Sequence, residues 1–117
     1  MKTDRLFLEH MLEAVERIRE FVDRISVEDF SKDWVLQDAL VRRLEILGEA
    51  AGRVSREFAD AHAEIPWRAI TGLRHKLIHD YFEVDLSVVW ETATHNVPEL
   101  EPLLREILNE FGEAPGG

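Results

Sequence analysis

The chain has 117 residues, with 14 Lys and Arg against 24 Asp and Glu, a formal charge of −10 at pH 7, and no cysteine. A single domain spanning residues 1–117, 45% hydrophobic, can bury a core without disulfides or structural metal, and the missing cysteines exclude thiolate nucleophiles and Cys-based zinc or iron–sulfur sites. The acidic balance argues against broad charge-driven binding to nucleic acid, and no apolar run approaches the ~18 residues of a membrane span or a signal peptide's core, so a cytoplasmic protein with no membrane association is predicted.

Leu8, Met11, Val15, Ile18, Val22 and Ile25 recur at steps of three and four, the spacing of one stripe on a first long helix. Ser26 with Asp29 three positions on has the form of a helix cap, which predicts a short turn or helical corner over SVEDFSKD. A second helix is predicted from near Asp33, with Leu36, Leu40, Leu44, Leu47, Ala51, Val54 and Phe58 on one face. Gly48 and Gly52 flank Ala51 there and leave room for close helix contact. ADAHAEIPW reads as a loop, and Pro66 suits the first turn of a third helix whose buried stripe is Ile70, Leu73 and Leu77. Asp85 is placed as N-cap of a fourth helix holding Leu86, Val89, Trp90, Ala93 and Val97, which Pro98 breaks or kinks. Leu100, Leu103, Leu104, Ile107, Leu108 and Phe111 carry the apolar spacing to a tail, residues 112–117, expected to fray. Strand signals are absent, and the sum is an all-α antiparallel bundle of four to five helices. Trp34, Trp67 and Trp90 read as packing residues, with Trp67 also suited to line a cleft, and His10, His62 and His95 as surface residues.

Positive charge is concentrated in one window, WRAITGLRHKLIH, which holds Arg68, Arg74, His75, Lys76 and His79 and no acid. Continued as an ideal helix, this window puts His75 and His79, four apart, on one stripe, whereas Arg74 must reach across about 140° to meet His79. An imidazole near its ordinary pKa can take a proton from a ribose 2′-hydroxyl or return one to a leaving 5′-oxygen. A guanidinium can hold two phosphate oxygens and stabilise a pentacoordinate transition state. If both meet one phosphodiester they suffice for RNA cleavage through a 2′,3′-cyclic phosphate, with no metal or other cofactor. Simpler roles compete: Arg74 pairing with Asp80, Glu83 or a carboxylate on another helix, His79 resting on free carbonyls at a helix end, and Tyr81 with Phe82 in the core. His75 and His79 as zinc ligands lack an obvious third partner.

IPWRAITGLRHKLIHDYF, followed by VDLSVVWETATHNVPEL and preceded by QDALVRRLEILGEAAGRVS, resembles the HepT-like branch of the HEPN superfamily over about Asp29 to Leu108. Its signature of Arg, four residues, His, one residue and Tyr falls on Arg74, His79 and Tyr81. The position after the Arg, often Asn in that superfamily, is His75 here. The resemblance implies a HEPN-like bundle, a homodimer joining two motifs in one cleft, and a metal-independent endoribonuclease acting as the toxin of a toxin–antitoxin module. It also implies a minimal nucleotidyltransferase antitoxin that transfers AMP from ATP to Tyr81, so that ATP serves the partner and the chain itself needs no cofactor. Arg74 and His79 would then be catalytic, Tyr81 the modification and substrate-contact residue, and His75, Lys76 and Arg68 supporting contacts to RNA phosphate. The alternative is a non-catalytic subunit that presents nucleotide or substrate to such a nucleotidyltransferase.

Overall fold

In the computed structural model, which describes residues 2–80 and 83–112, the stripe of Leu8, Met11, Val15 and Ile18 is fully buried along α1 (Lys2–Asp23). Val22 and Ile25 sit half-buried where the helix leaves the core. Ser26 then caps a one-and-a-half-turn helix, α2 (Val27–Lys32): its Oγ accepts from the Asp29 N–H at 3.0 Å, and the Asp29 carboxylate accepts from the Ser26 N–H at 3.4 Å. This reciprocal cap turns the chain and buries Phe30. Asp33 caps α3 (Trp34–Gly52) through a 2.9 Å bond from the Val35 N–H, and Leu40, Leu44, Leu47 and Ala51 point into the core.

The second helix stops earlier than its apolar spacing predicts. It ends at Gly52, and Val54 and Phe58 belong to a turn and to α4 (Arg56–Ala61). The cause is tertiary. Asp4, only 3% exposed, accepts from the Ser55 N–H at 2.7 Å and from its hydroxyl at 2.8 Å, while the Ser55 Oγ accepts from the Phe58 N–H. A Ser55 N–H held by Asp4 cannot continue the α3 ladder, so the chain restarts with Ser55 as N-cap.

The third helix is likewise interrupted. Pro66 precedes the first turn as N-cap of α5 (Trp67–Thr71), and the chain bends at Gly72 before α6 (Leu73–Leu77). Ile70, Leu73 and Leu77 are buried as predicted. The residues that follow are not helical: β1 (Ile78–Asp80) pairs antiparallel with β2 (Glu83–Val84) in an irregular register, and the Asp85 N–H bonds the Leu77 carbonyl at 3.0 Å. This short ribbon, which no alternation announced, closes off the helix because the returning chain takes the carbonyl that the next turn would have used.

Asp85 caps α7 (Leu86–Glu91), its carboxylate accepting from the Val88 N–H at 3.2 Å. A π-turn (Thr92–Asn96) and a 3-10 turn (Val97–Glu99) carry the chain past Pro98 into α8 (Leu100–Gly112). The proline thus kinks the rod without breaking it, its missing N–H absorbed by the change of pitch. The architecture is all-α, with α1 packed against both α3 and α8. Arg19 and Arg105 converge on Glu101 from α1 and α8, and Arg105 also reaches Glu16. Hydrogen bonds first to Glu101 and then to Glu16 hold the Arg105 guanidinium above its ordinary pKa. Trp90 packs on Phe30 with centroids 5.1 Å apart, and the half-buried Trp67 donates to the His62 carbonyl at 2.9 Å. Trp34 is a correction: it is 70% exposed, because the Asp33 cap starts α3 with this side chain outside the packed face. His10 and His95 are exposed, whereas His62 is half-buried and stacked on Phe58 at 4.2 Å. Phe82 and residues 113–117 lie outside the described residues.

Candidate active site

The cationic window is positioned by a close approach of backbones. A Cβ built on Gly48 of α3 would stand 2.8 Å from the Ile70 carbonyl oxygen, so only a hydrogen at that position lets α3 and α5 come this near. Gly52, the second small residue predicted to serve such contact, is looser: its Cβ would meet only a Thr71 methyl at 3.8 Å. Fixing α5 against α3 fixes α6, and with it Arg74, His75 and Lys76.

All three of those side chains are exposed, as is Arg68 on α5. Arg74 is 76% exposed, and its Nε lies 3.9 Å from Oε2 of Glu45 on α3. That separation is beyond a hydrogen bond, and an exposed pair of this kind is worth ~0–1 kcal/mol. Pairing with a carboxylate of another helix therefore exists but leaves the guanidinium fork free: Arg74 makes no hydrogen bond among the described residues. Glu45 was not singled out from the sequence, since a carboxylate on the flank of a buried stripe looks like any solvated one.

Arg74 and Lys76, two residues apart on α6, point about 200° from each other around the axis. Arg74 leans toward Glu45, while Lys76 borders a cavity on the opposite flank, between α3, α5–α6, the π-turn and α8. The ideal-helix geometry expected between Arg74 and His79 does not hold, nor does the i, i+4 stacking of His75 and His79. His79 is in β1, beyond the end of α6, because the ribbon with β2 replaces the next helical turn. The side chain of His79, and Tyr81 altogether, lie outside the described residues. The structure thus leaves Arg68, Arg74, His75 and Lys76 exposed along α5 and α6 but does not bring them to one face, and the His79 backbone follows in β1. Among the described residues no three His, Asp or Glu side chains are grouped to hold a metal ion, and no helix is long and apolar enough to cross a membrane.

The fold is a helical bundle that displays exposed cations along two short helices, a surface whose chemistry suits phosphate. The comparisons make the class specific. The family described as "Ribonuclease HepT-like" matches residues 11–107, and the chain belongs to this family of HepT-like ribonucleases. The chain is 49% identical over 110 residues to "Putative RNase TTE0752" of Caldanaerobacter subterraneus subsp. tengcongensis, covering 94% of this chain and 98% of that one. It is 45% identical over 95 residues to "Probable ribonuclease HepT" of Thermococcus cleftensis, covering 81% of this chain and 86% of that one. It is also 37% identical over 110 residues to "Gamma-glutamylcyclotransferase and putative RNase MJ0434" of Methanocaldococcus jannaschii, covering 94% of this chain and 50% of that longer one. No solved structure gives a significant match.

Proposed function

We propose that the protein is a metal-independent endoribonuclease and the toxin of a toxin–antitoxin module, with Arg74 and His79 as its catalytic residues. The observation that carries this reading is Arg74: a strongly exposed guanidinium with one 3.9 Å contact and no hydrogen bond among the described residues, in a chain of a ribonuclease family. Arg74 holds the non-bridging oxygens of the scissile phosphate and stabilises the charge of the pentacoordinate transition state. The ribose 2′-oxygen attacks phosphorus as His79 removes its proton, the bond to the 5′-oxygen breaks, and that oxygen is protonated as it leaves. The products are a 2′,3′-cyclic phosphate and a 5′-hydroxyl. Arg68, His75 and Lys76 hold neighbouring phosphates.

One motif supplies one assigned acid–base group, His79, whereas the reaction needs a base and an acid. A homodimer with two motifs around a common groove meets that need and doubles the local positive charge against the net −10 of each chain. Control is assigned to a minimal nucleotidyltransferase antitoxin. The Tyr81 phenolic oxygen attacks the α-phosphorus of ATP, pyrophosphate leaves, and the attached AMP sets negative charge beside Arg74, where RNA phosphate would bind.

The test is RNA cleavage by the intact protein in EDTA, with product ends identified and with His79→Ala and Arg74→Ala compared at unchanged helical circular dichroism. Cyclic-phosphate ends, EDTA resistance and loss of cleavage in both variants are expected. Full cleavage by His79→Ala removes the imidazole from the mechanism, and RNA that is bound but never cut supports the non-catalytic subunit instead. Intact-mass measurement after incubation with the nucleotidyltransferase and ATP should show AMP on Tyr81 with loss of cleavage, and sedimentation at micromolar concentration should show a dimer.

A further inference from the structure

Four large apolar side chains stand exposed among the described residues, and three of them, Val27, Trp34 and Val35, fall at the corner where α2 hands the chain to α3. An apolar patch gathered in this way marks a surface that another molecule covers. The patch has a floor: Ile25 and Leu36, both half-buried, line with Trp34 a shallow depression of about 440 Å³, and Asp29, Lys32 and Asp33 complete its wall. The corner that carries it is stiff. Ser26 and Asp29 cap α2 reciprocally, Asp33 caps α3, the Gln37 side-chain amide donates to the Phe30 carbonyl at 3.0 Å, and Phe30 is buried against Trp90. This framework holds the Trp34 backbone and leaves its ring in solvent. A tryptophan presented on a rigid support loses little freedom on being covered, which is the condition under which one aromatic side chain dominates a protein interface.

The charges around the patch select its partner. Glu28, Asp29, Asp33 and Asp38 are exposed along α2 and the start of α3, against a single exposed cation there, Lys32. None of the four carboxylates forms an ion pair among the described residues. RNA and an anionic membrane surface bring phosphates, which these carboxylates repel. A second copy joined across a two-fold axis would set the same acidic corner against itself. A cationic protein surface is instead drawn in by the field.

We propose that the α2–α3 corner is a docking surface for a basic segment of another protein, which seats an apolar side chain against Trp34 between Ile25 and Leu36 and sets Lys or Arg side chains on Glu28, Asp29, Asp33 and Asp38. About 16 Å along the α3 axis separates Trp34 from Glu45, the carboxylate beside Arg74, so docking at the corner does not itself occupy the phosphate contact of that guanidinium. The surface is independent of the ribonuclease reading and stands whether or not the protein cuts RNA.

The probe is a synthetic amphipathic helix with Leu on one face and Lys on the other, set against two counterparts, one with Glu in place of Lys and one with Ala in place of Leu. Each is titrated into the intact protein while the Trp34 indole and the amides of Asp33 to Gln37 are followed by heteronuclear NMR. The Leu and Lys peptide should shift these signals and bind at least about tenfold tighter than either counterpart. Trp34→Ala, which removes a ring lying outside the packed core, should fold as wild type does and weaken binding at least about tenfold. Glu28→Gln combined with Asp38→Asn should weaken it about threefold to tenfold, with the difference narrowing as salt is added. Glu106→Gln combined with Glu110→Gln, on the exposed face of α8, and Leu6→Ala on α1 should leave it unchanged. Wild-type affinity in Trp34→Ala, equal binding of the Glu peptide, or an equal loss in the α8 variant would overturn the surface. So would a dimer in sedimentation that Trp34→Ala dissociates, which gives the corner to a second copy, or an RNA affinity that falls in Trp34→Ala, which makes the ring a stacking platform for bases.

Discussion

Gly48→Ala and Gly52→Ala place the same substitution in the same helix and should act in opposite directions. At Gly48 the new methyl would stand 2.8 Å from the Ile70 carbonyl oxygen and 3.9 Å from the Leu73 Cβ. Carbon and oxygen in comfortable contact lie about 3.3–3.6 Å apart, so one backbone must retreat by roughly half an ångström. No rotamer change relieves the clash, because the obstacle is a main-chain carbonyl of α5. Overpacking of this kind costs about 1–3 kcal/mol, and replacing an interior helical glycine by alanine returns about 1 kcal/mol; with a rigid main-chain obstacle the cost sits toward the upper end, for a net loss of up to about 2 kcal/mol. At Gly52 the methyl meets only a Thr71 methyl at 3.8 Å, an ordinary contact, so the helix preference wins and stability rises by up to about 1 kcal/mol. Urea denaturation followed by circular dichroism resolves both shifts, provided the slope of the unfolding free energy is unchanged. Cleavage of RNA should fall in Gly48→Ala, since α5 and α6 carry Arg68 and Arg74 with them, and should be retained in Gly52→Ala. A Gly48→Ala protein as stable as wild type would refute the claim that the α3–α5 approach positions the cationic segment.

Asp4→Ala removes the acceptor of two bonds to Ser55 in a buried setting and should cost about 2–3 kcal/mol in chemical denaturation. Trp34→Ala should change stability by less than about 0.5 kcal/mol, because the ring is 70% exposed. Trp90→Ala, which strips a ring packed on Phe30, should cost about 2–3 kcal/mol in the same assay. Glu101→Gln should lower the thermal midpoint by weakening both Arg19 and Arg105, with the deficit narrowing as salt is added. The pKa of Arg105 is raised, so its contribution is fully present below the ordinary guanidinium range and is lost only as pH climbs above it. The stability difference between wild type and Arg105→Ala should therefore be flat from about pH 6 to about pH 9 wherever its carboxylate partners stay ionised.

Local signals in the sequence were reliable where a residue's neighbours in the chain decide its state. The Ser26–Asp29 box, the helix start near Asp33, the Asp85 cap and the α1 stripe depend on contacts within a turn or two, and the structure has each of them. What failed to show was set from a distance. The end of α3 is decided by Asp4, 51 residues from Ser55, and the apolar spacing from Val54 to Phe58 carries no trace of it. The ribbon after Leu77 depends on the chain returning to the Leu77 carbonyl, so the helix continued through His79 in the sequence reading stops short. The cations at Arg68, Arg74 and Lys76 were legible as a charge concentration, and all are exposed. The π-turn was not, since the sequence TATHNVP gives no sign that the buried Thr92 hydroxyl will have no partner among the described residues while Thr94 finds the Trp90 carbonyl.

The union of α1 with α8 sets the order in which a newly synthesised chain can mature. Arg19 must find Glu101, and Glu16 must find Arg105, at sequence separations of 82 and 89. A nascent polypeptide that has emerged only as far as the cationic segment can already pack α1 on α3, but the face of α1 that meets α8 is still uncovered. Competence for any task that needs the finished bundle thus arrives late in translation, when the eighth helix seals the first.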